Sequence, residues 1–282
     1  MLKRISLFWA LALVYCLSLT AQQAPPQPQP LTIYYDYTVQ PGKEEDFNTL
    51  VKTVGEPVRE KLMADGVVTA WGIETPLLRG PGVGTHVIWV SVNNWDGVGK
   101  VFQAMSDRLA QIAAEEAKAT KKPAMTTAQR ARETFDASKT RDWLTRDIVF
   151  KVTDKAPPAN ALPFTRYNLI KVKPGMGAEY RRTWEKYNKP VLDKLVADGV
   201  LLGYGLGVEE LKSEGSFTHF VWQSFNNMGD YDKVVAAFAA DRARRGEEER
   251  AAITAAFMAA TEPDAARQWV SRSTKFRVAA PK

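Results

Sequence analysis

The stretch THVIWVSVNN at residues 85–94 returns at residues 218–227 as THFVWQSFNN. The chain has two histidines, and these segments hold both, His86 in the first and His219 in the second. The offset of 133 residues extends well beyond the two segments. Val39-Gln-Pro41-Gly42 matches Val172-Lys-Pro174-Gly175, and Lys61-Leu62-Met-Ala64-Asp65-Gly66-Val67 matches Lys194-Leu195-Val-Ala197-Asp198-Gly199-Val200. Without gaps, 20 of the 56 positions in 39–94 are identical to those in 172–227. Chance gives roughly one in seventeen. Further on, Asp107-Arg108 answers Asp241-Arg242, and Arg141-Asp-Trp143-Leu-Thr-Arg146 answers Arg267-Gln-Trp269-Val-Ser-Arg272. The last pair is offset by only 126 residues, so the first copy carries an insertion. The polar stretch Glu115–Thr127, with Lys121-Lys122-Pro123 read as a loop, is the expected place for it.

Each copy has the same order of signals. A β-rich run (31–39; 164–172) ends at Pro-Gly, a turn pair. A helix is expected over 43–64 and 176–197, with Pro57 and Pro190 kinking or breaking it at equivalent places. Asp-Gly turns the chain into a second strand (67–73; 200–206), and the quoted segments form a third (85–92; 218–225). Asn94 and Asn227, or the acidic residues just after them, start a second helix, in one piece or two. A short final strand (147–152; 274–278) closes each copy. The order is βαββαβ, the ferredoxin-like unit. The third strand is apolar on both faces: His86, Ile88, Val90 and Val92 alternate with Thr85, Val87, Trp89 and Ser91. A sheet with helices on one side alone should be polar on the other, so the second face needs a cover. The other copy's sheet supplies it, giving an α+β fold in which tandem ferredoxin-like repeats, 31–155 and 163–280, form an intrachain barrel with pseudo-two-fold symmetry. A monomer then suffices, with further oligomerisation open.

The Val-x-Pro-Gly turn, the Asp-Gly before strand two and the His-x-x-Trp on strand three followed by Asn-Asn resemble the dimeric α+β barrel superfamily. In particular they are similar to NIPSNAP-like domains, arranged here in tandem over about 31–152 and 164–278. The resemblance implies a barrel. It names no reaction, because the superfamily includes cofactor-independent monooxygenases, haem-dependent enzymes, isomerases and members without known activity.

Residues 1–21 read as a signal peptide: Lys3-Arg4, then an uncharged run from Ile5 to Leu19 that is short for a membrane span, then Thr20-Ala21. Residues 22–30 are a Pro/Gln linker that cannot form a helix or an interior strand. The expected mature protein is exported, periplasmic or secreted, with no stable membrane span. Cys16, the only cysteine, leaves with the leader, and thiol chemistry leaves with it. The net charge of +6 is spread along the chain. No Lys/Arg block interleaves with aromatics, so nothing points to nucleic acid. Neither Gly-x-Ser-x-Gly nor Gly-x-Gly-x-x-Gly occurs, and no motif calls for a cofactor.

His86 and His219 are the candidate catalytic residues, since histidine titrates near neutral pH. If their strand face points into the barrel, the two imidazoles converge; if it points to the helices, each sits alone in its half. A metal would need carboxylate help, and Glu74, Glu209 and Glu210 are not placed symmetrically. Trp89 and Trp222 lie three residues on, hence on the opposite face from the histidines, and read as core. Tyr34, Trp71, His86, Tyr167, Tyr204 and His219 form the candidate ligand-binding set, matched pairwise between the copies. Arg146 and Arg272 could hold an acidic group. Three functions are carried forward, in this order. The first is binding of a small apolar or aromatic ligand in or beside the barrel. The second is a cofactor-independent monooxygenase-like activity with a histidine as proton acceptor. The third is a non-catalytic structural or interaction protein with a filled barrel.

Overall fold

The computed structural model describes residues 29–78, 83–119, 126–154, 162–211 and 217–279. The expected signal peptide, most of the Pro/Gln linker and the Lys121-Lys122-Pro123 loop lie outside the described residues.

The first half runs β1 (Leu31–Tyr37), α1 (Glu44–Leu50), a π-helical turn (Val51–Gly55), α2 (Glu56–Ala64), β2 (Val68–Pro76), β3 (His86–Val92), α3 (Trp95–Ala119), α4 (Thr127–Thr134) and β4 (Arg141–Val152). The second runs β5 (Phe164–Val172), α5 (Gly177–Tyr187), α6 (Lys189–Ala197), β6 (Gly203–Leu211), β7 (His219–Phe225), α7 (Met228–Ala243), α8 (Glu247–Ala260) and β8 (Thr261–Val278). Local chemistry sets these limits. The turn glycines Gly42, Gly66, Gly175 and Gly199 all have φ between 75° and 80°, a region where a Cβ is strained. The first helix of each half breaks where expected, with Pro57 or Pro190 in the opening turn of the second piece. Asn94 accepts the Gly97 N–H at 2.9 Å, and Asn227 accepts the Asp230 N–H at 3.2 Å, starting α3 and α7.

Helix α3 continues to Ala119, into the stretch expected to hold the insertion. One expectation needs correction: the closing strands are long rather than short, 12 residues in β4 and 18 in β8. Each must reach across two neighbours, β4 pairing with β1 and β6, and β8 with β2 and β5.

All eight strands form one closed barrel in the order β1-β3-β2-β8-β5-β7-β6-β4. Within it each half contributes four antiparallel strands in the same internal order, β4-β1-β3-β2 and β8-β5-β7-β6. The halves meet along their edges, β2 on β8 and β4 on β6, as well as across the interior. Closure leaves no free sheet edge. Three apolar clusters follow. One lies between the first half's strands and helices, around Phe47, Leu62, Trp71 and Val90. A second lies in the same place in the other half, around Trp184, Leu192, Tyr204 and Phe225. The third is inside the barrel and is almost wholly aromatic.

Candidate functional site

Strand alternation sends Thr32 and Tyr34 of β1 inward, with Leu31 and Ile33 toward the helices. Antiparallel pairing places Tyr34 opposite Trp89 on one side and Trp143 on the other. The second half repeats this: Tyr167 lies between Trp222 and Trp269. Tyr34 stacks on Trp143 with ring centroids 4.5 Å apart, and Tyr167 stacks on Trp269 at 5.2 Å. The two tyrosines meet edge to face at 6.2 Å. Trp143, Phe217, Phe220 and Trp269 pack around the tyrosines and fill one end of the barrel.

The other end is open. A cavity of about 700 Å³ lies there, lined by the starts of β1, β2, β5 and β6 and the ends of β3, β4, β7 and β8. Thr32, Tyr34, Glu74, Trp89, Asp147, Tyr167, Trp222 and Ser224 form its inner wall. Asn93, Lys151, Val152 and Asp154 mark the mouth and are exposed. The indoles of Trp89 and Trp222 lie across Gly72 and Gly205 of the neighbouring strand. A Cβ on Gly72 would come within 2.7 Å of Trp89, and one on Gly205 would overlap Trp222. Glycine at these matched positions is what lets each ring lie flat against the barrel wall.

Each indole points its N–H at a buried carboxylate. Trp89 Nε1 donates to Glu74 Oε1 at 3.0 Å, and Trp222 Nε1 donates to Asp147 Oδ1 at 3.0 Å. Glu74 Oε1 also accepts from Tyr167 Oη at 3.2 Å and Thr165 Oγ1 at 3.3 Å, whereas Glu74 Oε2 has no partner. Burial pushes Glu74 up to about 7, against hydrogen bonds from Trp89, Tyr167 and Thr165 that favour its ionised form. Burial likewise pushes Asp147 up to about 7, against the one bond from Trp222. Both tyrosine hydroxyls are held far above their ordinary range, first by burial and then by these carboxylates.

The sequence-derived candidates divide between two places. Tyr34 and Tyr167 line the cavity. Trp71, His86, Tyr204 and His219 stand on the helix-facing side of the strands. Trp71 lies under the Arg59 guanidinium at 5.0 Å, and Tyr204 donates to Asp193 of α6 at 2.6 Å. His86 packs on Phe47 of α1 at 4.6 Å, and His219 on Tyr180 of α5 at 5.4 Å. In each, Nδ1 meets the preceding threonine hydroxyl at 3.0 Å. The imidazoles therefore occupy separate halves and do not converge. Arg146 forms a two-pronged pair with Glu210, at 2.9 and 2.5 Å, and Arg272 lies over Phe164.

Glu74 and Asp147 are the residues that sequence reasoning missed as a pair. Their signal was phase: Glu74 shares the inward phase of Gly72 as the one charged residue of its strand, and Asp147 shares that of Trp143. Among the described residues, the cavity lining holds no histidine, cysteine or methionine, the commonest axial ligands of a haem iron. Among the described residues no three His, Cys, Asp or Glu side chains gather as a metal site would require.

No protein-family model matches the chain, and no curated protein matches it. Solved structures do. A candidate monooxygenase from Fusobacterium nucleatum superposes with a TM-score of 0.56, covering 89% of this chain and 95% of its own at 13% identity. A candidate monooxygenase from Lactobacillus acidophilus gives 0.54, covering 89% and 97% at 9% identity. Likeness at such identity shows a shared α+β barrel fold and leaves the reaction to the site.

Proposed function

We propose that this chain binds a small aromatic molecule inside the barrel, entering through the end that Asn93 and Lys151 flank. One observation carries the reading: two indole–carboxylate pairs, Trp89–Glu74 and Trp222–Asp147, line a cavity of about 700 Å³. Aromatic walls with a few convergent polar groups are the usual make-up of a small-molecule site. Tryptophan fluorescence tests it. Phenols, quinols and indoles should quench or shift the emission of the parent protein and raise its melting temperature. Ser224→Phe, which fills the cavity from the wall, should abolish both effects. Unchanged ligand response in Ser224→Phe rejects the barrel as the site.

A second reading is favoured by the carboxylates themselves. A buried acid near pH 7 is suited to take a proton from an activated phenol or quinol. In a cofactor-independent oxygenation the resulting anion is oxidised by dioxygen, one oxygen atom entering the product and the other leaving as water. Glu74 or Asp147 then takes the proton-acceptor role that the sequence alone assigned to His86 or His219. Oxygen uptake over a phenol and quinol panel tests this, with Glu74→Gln and Asp147→Asn expected to lose at least tenfold in rate. Rates unchanged in both variants reject it.

The repeat and the matching strand orders support reading the halves as tandem ferredoxin-like units, roughly 31–155 and 163–280, of a NIPSNAP-like kind. On that reading one chain completes the barrel as a monomer. The n-region, apolar run and Pro/Gln linker support export to the periplasm or medium. Among the described residues no helix is long and apolar enough to cross a membrane.

A further inference from the structure

The barrel cavity joins two buried carboxylates to an aromatic wall, with no buried cation among the described residues that line it. We infer that its occupant is an organic cation, an arylalkylammonium whose charged nitrogen sits at Glu74 and whose ring lies among Trp89, Trp222, Tyr34 and Tyr167. This rests on the barrel being the binding site and names the ligand class.

The polar inventory decides the sign of the ligand's charge. Among the described residues Lys151 is the only cationic side chain in the lining, and it stands exposed at the mouth, 3.6 Å from Asp193. An anionic ligand would meet two carboxylates and no compensating charge. Glu74 is 1% exposed and Asp147 6%. Glu74 Oε1 is saturated by three donors, while Oε2 makes no hydrogen bond, with the Ser271 hydroxyl as a further polar neighbour of the carboxylate. The Ser224 hydroxyl, also on the cavity wall, lacks a partner too. A buried acceptor left open costs on the order of 1–3 kcal/mol. An ammonium brings three N–H donors and a charge to that place, and the faces of tryptophan and tyrosine attract cations.

Titration follows with a defined sign. The groups facing the site are Glu74 on β2, Asp147 on β4, Tyr34 on β1 and Tyr167 on β5, with Lys151 and Asp154 at the mouth. Burial lifts both carboxylates to about 7, so near neutral pH the empty site is partly protonated. A cation favours the ionised form, so binding expels protons and tightens as pH rises.

Calorimetry on the full chain tests this with three isosteric probes: tryptamine, its neutral alcohol counterpart tryptophol, and anionic indole-3-propionate. Each is titrated at pH 6 and pH 8, in buffers of different ionisation enthalpy. Tryptamine should bind at least tenfold tighter than tryptophol at pH 8, lose about tenfold at pH 6, and release about half a proton at pH 7. Glu74→Gln, whose amide can still accept from Trp89, should collapse the amine-to-alcohol ratio. Should that variant fail to fold, proton release by the parent protein with tryptamine and none with tryptophol reads the same charge, and equal release with both overturns it. Tryptophol binding as tightly as tryptamine, or indole-3-propionate binding best, overturns the cation and leaves the barrel site standing. No heat from any probe, at concentrations well above a millimolar Kd, overturns both.

Discussion

Glu74 and Asp147 hold equivalent places in the barrel although they come from non-equivalent positions in the repeat. Glu74 stands on β2 opposite Ser273 of β8, and Asp147 stands on β4 opposite Gly207 of β6. By sequence, Glu74 answers Gly207 and Asp147 answers Ser273. Each junction between the halves thus carries one carboxylate, supplied from opposite sides of the seam. Each carboxylate receives the indole N–H of its nearest tryptophan at 3.0 Å.

These carboxylates make stability depend on pH with a defined sign. Both are protonated in the fold at a pH where the unfolded chain has released the proton. Their contribution is complete below the ordinary carboxylate range and is lost as pH rises through about 7. For each the loss is on the order of 3 to 4 kcal/mol. Asp36, pushed up to about 6 by burial, adds the same sign. His219, pushed down to about 4 by burial, acts oppositely, its contribution falling away below its ordinary value of 6.5. The melting temperature should therefore fall from pH 5 to pH 8 in the ligand-free protein. Glu74→Gln with Asp147→Asn should flatten that fall. A parent protein more stable at pH 8 than at pH 5 contradicts the assignment.

The tryptophans need glycine beside them. Gly205→Ala should push Trp222 off the wall and break its bond to Asp147, costing about 1–3 kcal/mol. The indole emission should shift to the red. Gly99→Ala is the control. Gly99 lies in α3 with nothing within 4 Å of a new Cβ, so alanine there should stabilise by about 0.5–1 kcal/mol. Equal effects of the two substitutions in chemical denaturation would show that the Trp222–Gly205 contact has no structural role.

Arg59 is the counterpart of Leu192 in the other half, and both are buried. Its guanidinium lies over Trp71 and presses on Gly55 in the π-helical turn. Arg59 Nε and Nη2 have no hydrogen-bond partner, and burial pulls the group below its ordinary range. A buried cation without good partners costs more than an apolar side chain in the same space. Arg59→Leu should raise stability by about 1–3 kcal/mol, read from the denaturant midpoint at unchanged slope. A loss of similar size would show that the cation holds the turn in place.

The histidines separate packing from chemistry. His219→Phe keeps the ring against Tyr180 and removes the titrating group. It should leave ligand affinity within twofold and reduce the acid sensitivity of the melting temperature. A tenfold change in affinity would place the ligand on the helix side of the barrel instead.

The repeat was legible because Pro-Gly, Asp-Gly and His-x-x-Trp are set by local turn and strand chemistry. The apolar inner face of β3 implied a second sheet across from it. Two things were not legible. The long closing strands arise from pairing across the seam, which no segment of sequence displays by itself. The carboxylate pair was hidden for a related reason. Glu74 and Asp147 do not align with each other, and only the closed barrel brings them to matching places. The eye went instead to His86 and His219, whose exact correspondence reflects one packing solution used twice against α1 and α5.

A crystal structure of the protein with bound tryptamine, grown near pH 8, tests the central claim most directly. The expected result is an indole ring between Trp89 and Trp222 with its ammonium nitrogen about 3 Å from Glu74 Oε2. A ligand lodged between strands and helices beside His86 or His219, with the barrel interior unchanged, would contradict it.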